Sequence, residues 1–191
     1  MKIYVLTLAF LISSVATDAQ DVFSNKVNSA LEKVLKDFPN RFHNIKGELI
    51  EQRNATTEYR STVQLPGAVS CLVTRVNNRK KESYCWSCIA LQTEVFNLAK
   101  YKFKEIYGQI ENTIIKIEGE KPFILNGPYE PPAEDKKETS IFFDLLPAVG
   151  EIKKVKVELV LQSDSKGWKI SLLVSDQEGK YEAQGALTDI Q

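Results

Sequence analysis

Three cysteines, Cys71, Cys85 and Cys88, are the residues of this 191-residue chain whose type and spacing most directly suggest chemistry. The last two form the sequence Cys85-Trp86-Ser87-Cys88. Where a C-x-x-C sequence begins a helix, the positive end of the helix dipole lowers the pKa of one thiol, as in thioredoxin-like proteins. A predicted helix follows nearby in the chain, so one interpretation of this segment is thiol–disulfide exchange through Cys85 and Cys88.

The pattern around these cysteines favours a β-strand instead. In residues 84–91, two sets of side chains alternate along the chain: Tyr84, Trp86, Cys88 and Ala90 in one set, and Cys85, Ser87, Ile89 and Leu91 in the other. Residues three apart on a strand point to opposite faces, with Cα atoms about 10 Å apart, whereas a disulfide needs them within roughly 7 Å. Because Cys71 and Cys85 lie symmetrically about Asn78, a hairpin turn centred there predicts a Cys71–Cys85 disulfide, with Cys88 buried in the core. Redox chemistry through Cys85 and Cys88 is the alternative.

The chain contains a single histidine, His43, which limits the metal and catalytic sites that it could form. Three cysteines and one histidine would match the ligand count of a structural zinc site, but His43 lies far along the chain from Cys71, and no metal site is predicted. The sequence has no G-x-S-x-G nucleophile motif and no glycine-rich phosphate-binding motif. We therefore predict no catalytic residue and no cofactor. A hydrolase assembled from acidic residues without a recognisable motif is a third hypothesis.

The overall composition is that of an ordinary globular protein. Hydrophobic residues make up 43% of the chain and charged residues 26%, and 25 Lys and Arg balance 25 Asp and Glu. Binding to the phosphate backbone requires an excess of positive charge, which this chain lacks. Nucleic acid is therefore not an expected partner.

The first nineteen residues have the pattern of a signal peptide. Lys2 precedes the apolar run 3–12, and small residues lead to Ala19, after which cleavage is expected. The run is too short to span a bilayer, which takes about 20 residues. It resembles the signals of exported Gram-negative proteins, so we expect a secreted or periplasmic protein without a membrane span. In a eukaryote, residues 54–56 would be a glycosylation acceptor, and in a bacterium they would form a turn.

Two segments have the spacing of amphipathic helices. Ser24 is placed to cap the first helix and Pro39 to interrupt it. The apolar stripes are Val27, Ala30, Leu31, Val34, Leu35 and Phe38, and Phe96, Ala99, Phe103, Ile106, Ile110, Ile114 and Ile117.

The two halves of the chain also resemble each other. Shifting the first stripe by 72 residues aligns it with the second and places Gly47 on Gly119, while Trp86 and Trp168 differ by 82. The separation between matching residues is larger later in the chain, because the second half contains an inserted, proline-rich loop at 121–137. The predicted strands are 47–52, 59–65, 71–76 and 84–91, then 122–125, 141–146, 155–161 and 168–174.

These patterns predict an α+β fold built from a tandem αββββ repeat. The units are 20–92 and 93–191, and hairpin connections imply an antiparallel sheet packed against two amphipathic helices. In layout this resembles cystatin-like tandem proteins of the latexin type and bacterial β-lactamase inhibitory proteins. Residues 64–68 are similar to the Q-x-V-x-G hairpin of cystatins but lack its valine. The resemblance implies an inhibitor-like protein that binds enzymes through sheet faces and loops.

The inserted loop is the predicted binding element. Tyr129, with Pro131 and Pro132, could present an aromatic anchor of the kind common at protein interfaces. Lys153, Lys154 and Lys156 are interpreted as the solvated side of a strand. The leading hypothesis is an exported, non-enzymatic protein that binds another protein or an envelope component.

Overall fold

The fold was analysed in a computed structural model that describes residues 26–78, 81–117 and 121–176. The predicted signal peptide, Ser24 and Gly119 lie outside these residues. The described chain contains two α-helices, α1 (Lys26–Asp37) and α2 (Phe96–Ile110), and two short 3-10 helices, Phe38–Asn40 and Gly150–Lys154. Its strands are β1 (Lys46–Gln52), β2 (Thr56–Ser61), β3 (Ser70–Asn78), β4 (Lys81–Thr93), β5 (Ile114–Ile115), β6 (Phe123–Asn126), β7 (Glu138–Leu146), β8 (Val155–Asp164) and β9 (Gly167–Asp176).

The strands form one antiparallel sheet in the order β1-β2-β3-β4-β9-β8-β7-β6-β5. Each strand of the first half pairs with its neighbour in sequence, and β5 to β9 do the same. The two halves meet where β4 pairs with β9. The chain is therefore an α+β protein with an antiparallel sheet, as the sequence predicted.

Both helices pack on the same face of the sheet, which we call the inner face. Val73, Trp86, Val174, Val157 and Phe143 lie directly opposite one another on five adjacent strands, so their side chains share this face. All five are buried in one core with Leu31 and Leu35 of α1 and Phe103 and Ile106 of α2. Trp86 also donates its indole N–H to the Ser61 hydroxyl, at 3.0 Å.

The helix predictions are confirmed for α1 and partly wrong for α2. The predicted α2 stripe continued to Ile117, but the helix ends at Ile110. Asn112 adopts a left-handed backbone conformation with φ 58°, and its N–H donates to the carbonyl of Leu125 at 2.8 Å. Ile114 therefore begins β5, a strand the sequence analysis missed, and pairs with Ile124 of β6.

The other predicted strands are present with shifted ends. The largest difference is in β2, which was predicted at 59–65 and occupies Thr56–Ser61. The hairpin between β8 and β9 is tighter than predicted, because Asp164 already pairs with Gly167. Gly167 has φ 105°, a conformation that side-chain-bearing residues rarely adopt.

A close backbone contact starts the connection between β6 and β7. Gly127 lies against Phe142 of β7, and a Cβ atom there would overlap the Phe142 carbonyl oxygen. The carbonyl of Gly127 also accepts a hydrogen bond from the Tyr107 hydroxyl at 2.9 Å. Only glycine fits this position without moving the backbone.

Substituting alanine for Gly127 tests this contact. We expect Gly127→Ala to lower the free energy of unfolding by about 1–3 kcal/mol, the usual cost of overpacking. Gly108→Ala is the matched control, because Gly108 lies in α2 with open space around it. The control should raise stability by up to about 1 kcal/mol through helix propensity. Equal effects in thermal unfolding would contradict the contact.

Candidate functional site

The disulfide joins Cys71 to Cys88, and the predicted Cys71–Cys85 bond is wrong. Cys71 of β3 lies directly opposite Cys88 of β4, with Cα atoms 4.0 Å apart, and both side chains face the core. The same register pairs Asn78 with Lys81, so Asn78 is the last paired residue of β3 and not the centre of the hairpin turn.

Cys85 is the free cysteine, and it lies on the opposite face of β4 from Cys88. It is fully enclosed next to Ser175 of β9. Burial, with a further contribution from the Glu158 carboxylate and an opposing one from Lys156, raises the pKa of the Cys85 thiol to about 12. The C-x-x-C segment therefore brings no two thiols together, and at neutral pH the remaining thiol is protonated.

The proline-rich loop packs on the protein instead of projecting from it. Tyr129 is half-buried, and its ring centroid lies 4.8 Å from that of Tyr107. Pro132 is buried and Pro131 exposed. Burial raises the pKa of Tyr129. Burial, with a further contribution from the nearby Glu111 carboxylate, raises the pKa of Tyr107 to about 12. A binding role for these loop residues stays a prediction, with Pro131 its most accessible member.

The predicted lysine face is formed only in part. Lys153 and Lys154 belong to the 3-10 helix that precedes β8, and both are exposed. Lys156 lies in β8 on the outer face of the sheet, where its ammonium group is 2.9 Å from Glu158 and 4.4 Å from the ring centroid of Phe142. These contacts make Lys156 part of the sheet surface rather than a free charge.

The outer face of the sheet carries apolar side chains where a water-exposed face is expected to be polar. Leu72, Ser87, Leu173, Glu158 and Phe142 form one row across five strands. The three apolar members of this row are half-buried or exposed, and Phe142 is 48% exposed. The next row contains Ile89 and Val160 between serines.

An exposed apolar cluster stands out at the end of this face. Ile114 of β5 lies opposite Ile124 of β6, which lies opposite Leu146 of β7. Their side chains are 59%, 40% and 53% exposed. We call these three residues the apolar corner. The sequence pattern did not identify them as site residues, because it placed Ile114 in a helix and Ile124 and Leu146 in ordinary strands.

A cleft lined by both helices is another candidate site. It has a volume of about 480 Å³ and an apolar floor that includes Val27, Leu65 and Ile106. At its rim the Lys102 ammonium lies 3.0 Å from the Glu105 carboxylate. Because this rim pair is already satisfied within the protein, the cleft is a weaker candidate than the apolar corner.

Comparisons with known proteins identify no relative of this chain. No protein-family model, curated protein or solved structure matches it. Within the described residues, no group of three or more His, Cys, Asp and Glu side chains is arranged to hold a metal ion, and His43 is exposed. None of the helices in that part of the chain is both long and apolar enough to cross a membrane.

The cysteine arrangement predicts a stepwise labelling pattern. With iodoacetamide at pH 8, we expect no labelled cysteine in the folded protein, one after unfolding and three after reduction. Peptide mapping by mass spectrometry should place the single label on Cys85. Labelling of Cys71 or Cys88 without reduction would contradict the observed pairing.

The raised pKa of Cys85 predicts a loss of stability at high pH. The folded protein keeps this thiol protonated to about pH 12, whereas the thiol of the unfolded chain has its ordinary pKa of 9.0. Between these values the unfolded state binds fewer protons, so the free energy of unfolding should fall by up to about 1.4 kcal/mol per pH unit. In denaturant titrations Cys85→Ala should lack this component, and an identical pH dependence would contradict it.

Proposed function

We propose that this chain is an exported, non-enzymatic binding protein that holds an apolar surface of a protein partner on the apolar corner. The observation that supports this most is the exposed row of Ile114, Ile124 and Leu146 on three hydrogen-bonded strands. Contiguous exposed apolar patches on folded proteins commonly mark interaction sites. A rigid sheet also holds such side chains in place, so little conformational entropy is lost on binding.

The surroundings of the corner suit a protein partner. Phe142 continues the apolar surface along β7, and Asp144 lies between Phe142 and Leu146 on the same strand face. Apolar centres with polar groups at the rim are the usual composition of protein interfaces. Among the described strands β5 lies at the edge of the sheet, so a partner would meet backbone groups that no described strand pairs, beside the apolar side chains.

Two observations support the proposed export. Residues 1–19 have the charge, apolar run and small-residue pattern of a secretory signal. The Cys71–Cys88 bond is of a kind that persists in oxidising compartments such as the periplasm and the cell exterior. We therefore place the protein outside the cytoplasm in this proposal.

We also propose that the fold arose as a tandem αββββ repeat. In support, β1 to β4 and β6 to β9 occupy mirror-related places in the sheet. Ile89 and Ser171 lie directly opposite each other, and they are separated by 82 residues, as Trp86 and Trp168 are. The resemblance to cystatin-like inhibitors would follow this layout, so an enzyme is one class of partner to test.

A charge substitution in the apolar corner tests the proposed function. The tagged mature chain retains partners from an extract of the cells that produce it, and mass spectrometry identifies them. We expect Ile124→Lys to lose a partner that the unaltered chain retains. Placing a charge in an apolar contact should weaken binding by at least about tenfold.

Tyr101→Lys is the matched control, because Tyr101 is 70% exposed on α2 and lies away from the sheet surface. It should retain the same partner. Hydrogen exchange of the purified complex should then show protection in β5, β6 and β7. An unchanged set of partners for Ile124→Lys, or protection confined to other strands, would contradict the proposal.

A further inference from the structure

Two arginines share one carboxylate near the hairpin end of β3 and β4. The Arg41 guanidinium lies 3.8 Å from one oxygen of Glu82, and that of Arg75 lies 3.9 Å from the other. The same carboxylate accepts a hydrogen bond from the Tyr84 hydroxyl at 3.1 Å. The three charged groups carry a net charge of about +1 at neutral pH.

The arginine donors of this cluster are incompletely used. Both ion pairs with Glu82 are longer than the 2.7–2.9 Å typical of charge-assisted hydrogen bonds. Arg75 donates from Nη2 to the Thr57 hydroxyl at 3.2 Å, but its buried Nε–H has no hydrogen-bond partner among the described residues. A buried donor without a partner destabilises the folded state. An added acceptor would remove this cost.

The backbone that carries Arg41 is held in an unusual conformation. Arg41 and Phe42 are consecutive non-glycine residues with φ values of 54° and 58°. Such conformations are strained, and they persist where the surroundings impose them, often at functional sites. This conformation leaves the Arg41 side chain 69% exposed, with its guanidinium carbon 5.8 Å from the centre of the Tyr84 ring.

Hydrogen bonds to the Asp37 carboxylate hold this turn in place. Its buried carboxylate accepts hydrogen bonds from the backbone N–H groups of Asn44 and Ile45 at 2.9 and 3.1 Å. It also accepts bonds from the side-chain amides of Asn40 and Asn44 at 3.2 and 2.7 Å. With Phe42 fully buried next to it, the turn has little freedom to relax. The backbone of Arg41 is therefore held in a fixed position from which its side chain extends toward Glu82.

We propose that Arg41 and Arg75 form a binding site for an oxyanion, a carboxylate or phosphate group of a ligand. Guanidinium groups match the geometry of such planar or tetrahedral anions and bind them by paired hydrogen bonds. In the free protein Glu82 partly neutralises both arginines, and a ligand competes with it for their donors. This site is separate from the apolar corner and does not depend on the proposed function.

Nuclear magnetic resonance provides a direct test, because the Nε–H of Arg75 is itself the reporter. The chain is titrated with sodium phosphate and, separately, with sodium acetate, against sodium chloride at equal ionic strength. We expect a saturable shift of the Arg75 Nε–H signal with at least one of the two anions and none with chloride. The tighter of the two probes identifies the anion chemistry that the site prefers.

Two variants distinguish an anion site from a purely structural ion-pair network. Arg41→Ala should abolish saturation at Arg75, whereas Arg53→Ala should not, since Arg53 is bound to Glu51 at 2.7 Å and serves as the control. Glu82→Gln removes the competing carboxylate and should tighten anion binding by at least about threefold. Absence of saturation in both the unaltered chain and Glu82→Gln would overturn the proposal, as would equal effects of Arg41→Ala and Arg53→Ala.

Discussion

The pairing of β4 with β9 is the contact on which the rest of this structure depends. In the strand order, removing it would divide the sheet into β1 to β4 and β5 to β9. It also fixes which side chains face the helices, because Trp86 lies opposite Val174 and Cys88 opposite Leu172. A shift of this register by one residue would turn Ile170, Leu172 and Val174 of β9 away from the core. The core beneath the helices and the composition of the outer face both follow from this pairing.

The sequence predicted the elements of the fold better than their ends. A period of 3.6 identified both helices and a period of two identified most strands, because helices and antiparallel strands each bury one side. The end of α2 was missed because Ile114 and Ile117 continue the helical spacing by coincidence. The left-handed Asn112 and its hydrogen bond to Leu125 end the helix, and that contact is made to a residue distant in sequence. Local periodicity carries no information about such a bond.

The wrong cysteine pair was predicted because the turn between β3 and β4 was misplaced. Centring the hairpin on Asn78 pairs Cys71 with Cys85, and it pairs Val73 with Ser83. In the observed register Val73 lies opposite Trp86, so the two large buried side chains share the inner face. In the observed register, odd-numbered residues of β3 lie opposite even-numbered residues of β4. A turn centred on Asn78 would pair odd-numbered residues with odd-numbered ones, so the pairing of Val73 with Trp86 excludes it. The burial of Trp86 was therefore a stronger guide to the cysteine pairing than the asparagines of the predicted turn.

The candidate site lay beyond sequence reasoning for a related reason. Each member of the apolar corner has an apolar neighbour that is buried: Ile115 beside Ile114, Leu125 beside Ile124, and Leu145 beside Leu146. Strands that are apolar on both sides are typical of sheets covered on both faces. Periodicity cannot then say which side is exposed, and only the position of the helices decides it. Since both helices pack on the inner face, the outward residues of these strands have no cover within the described protein, which is why the proposed binding site falls on them.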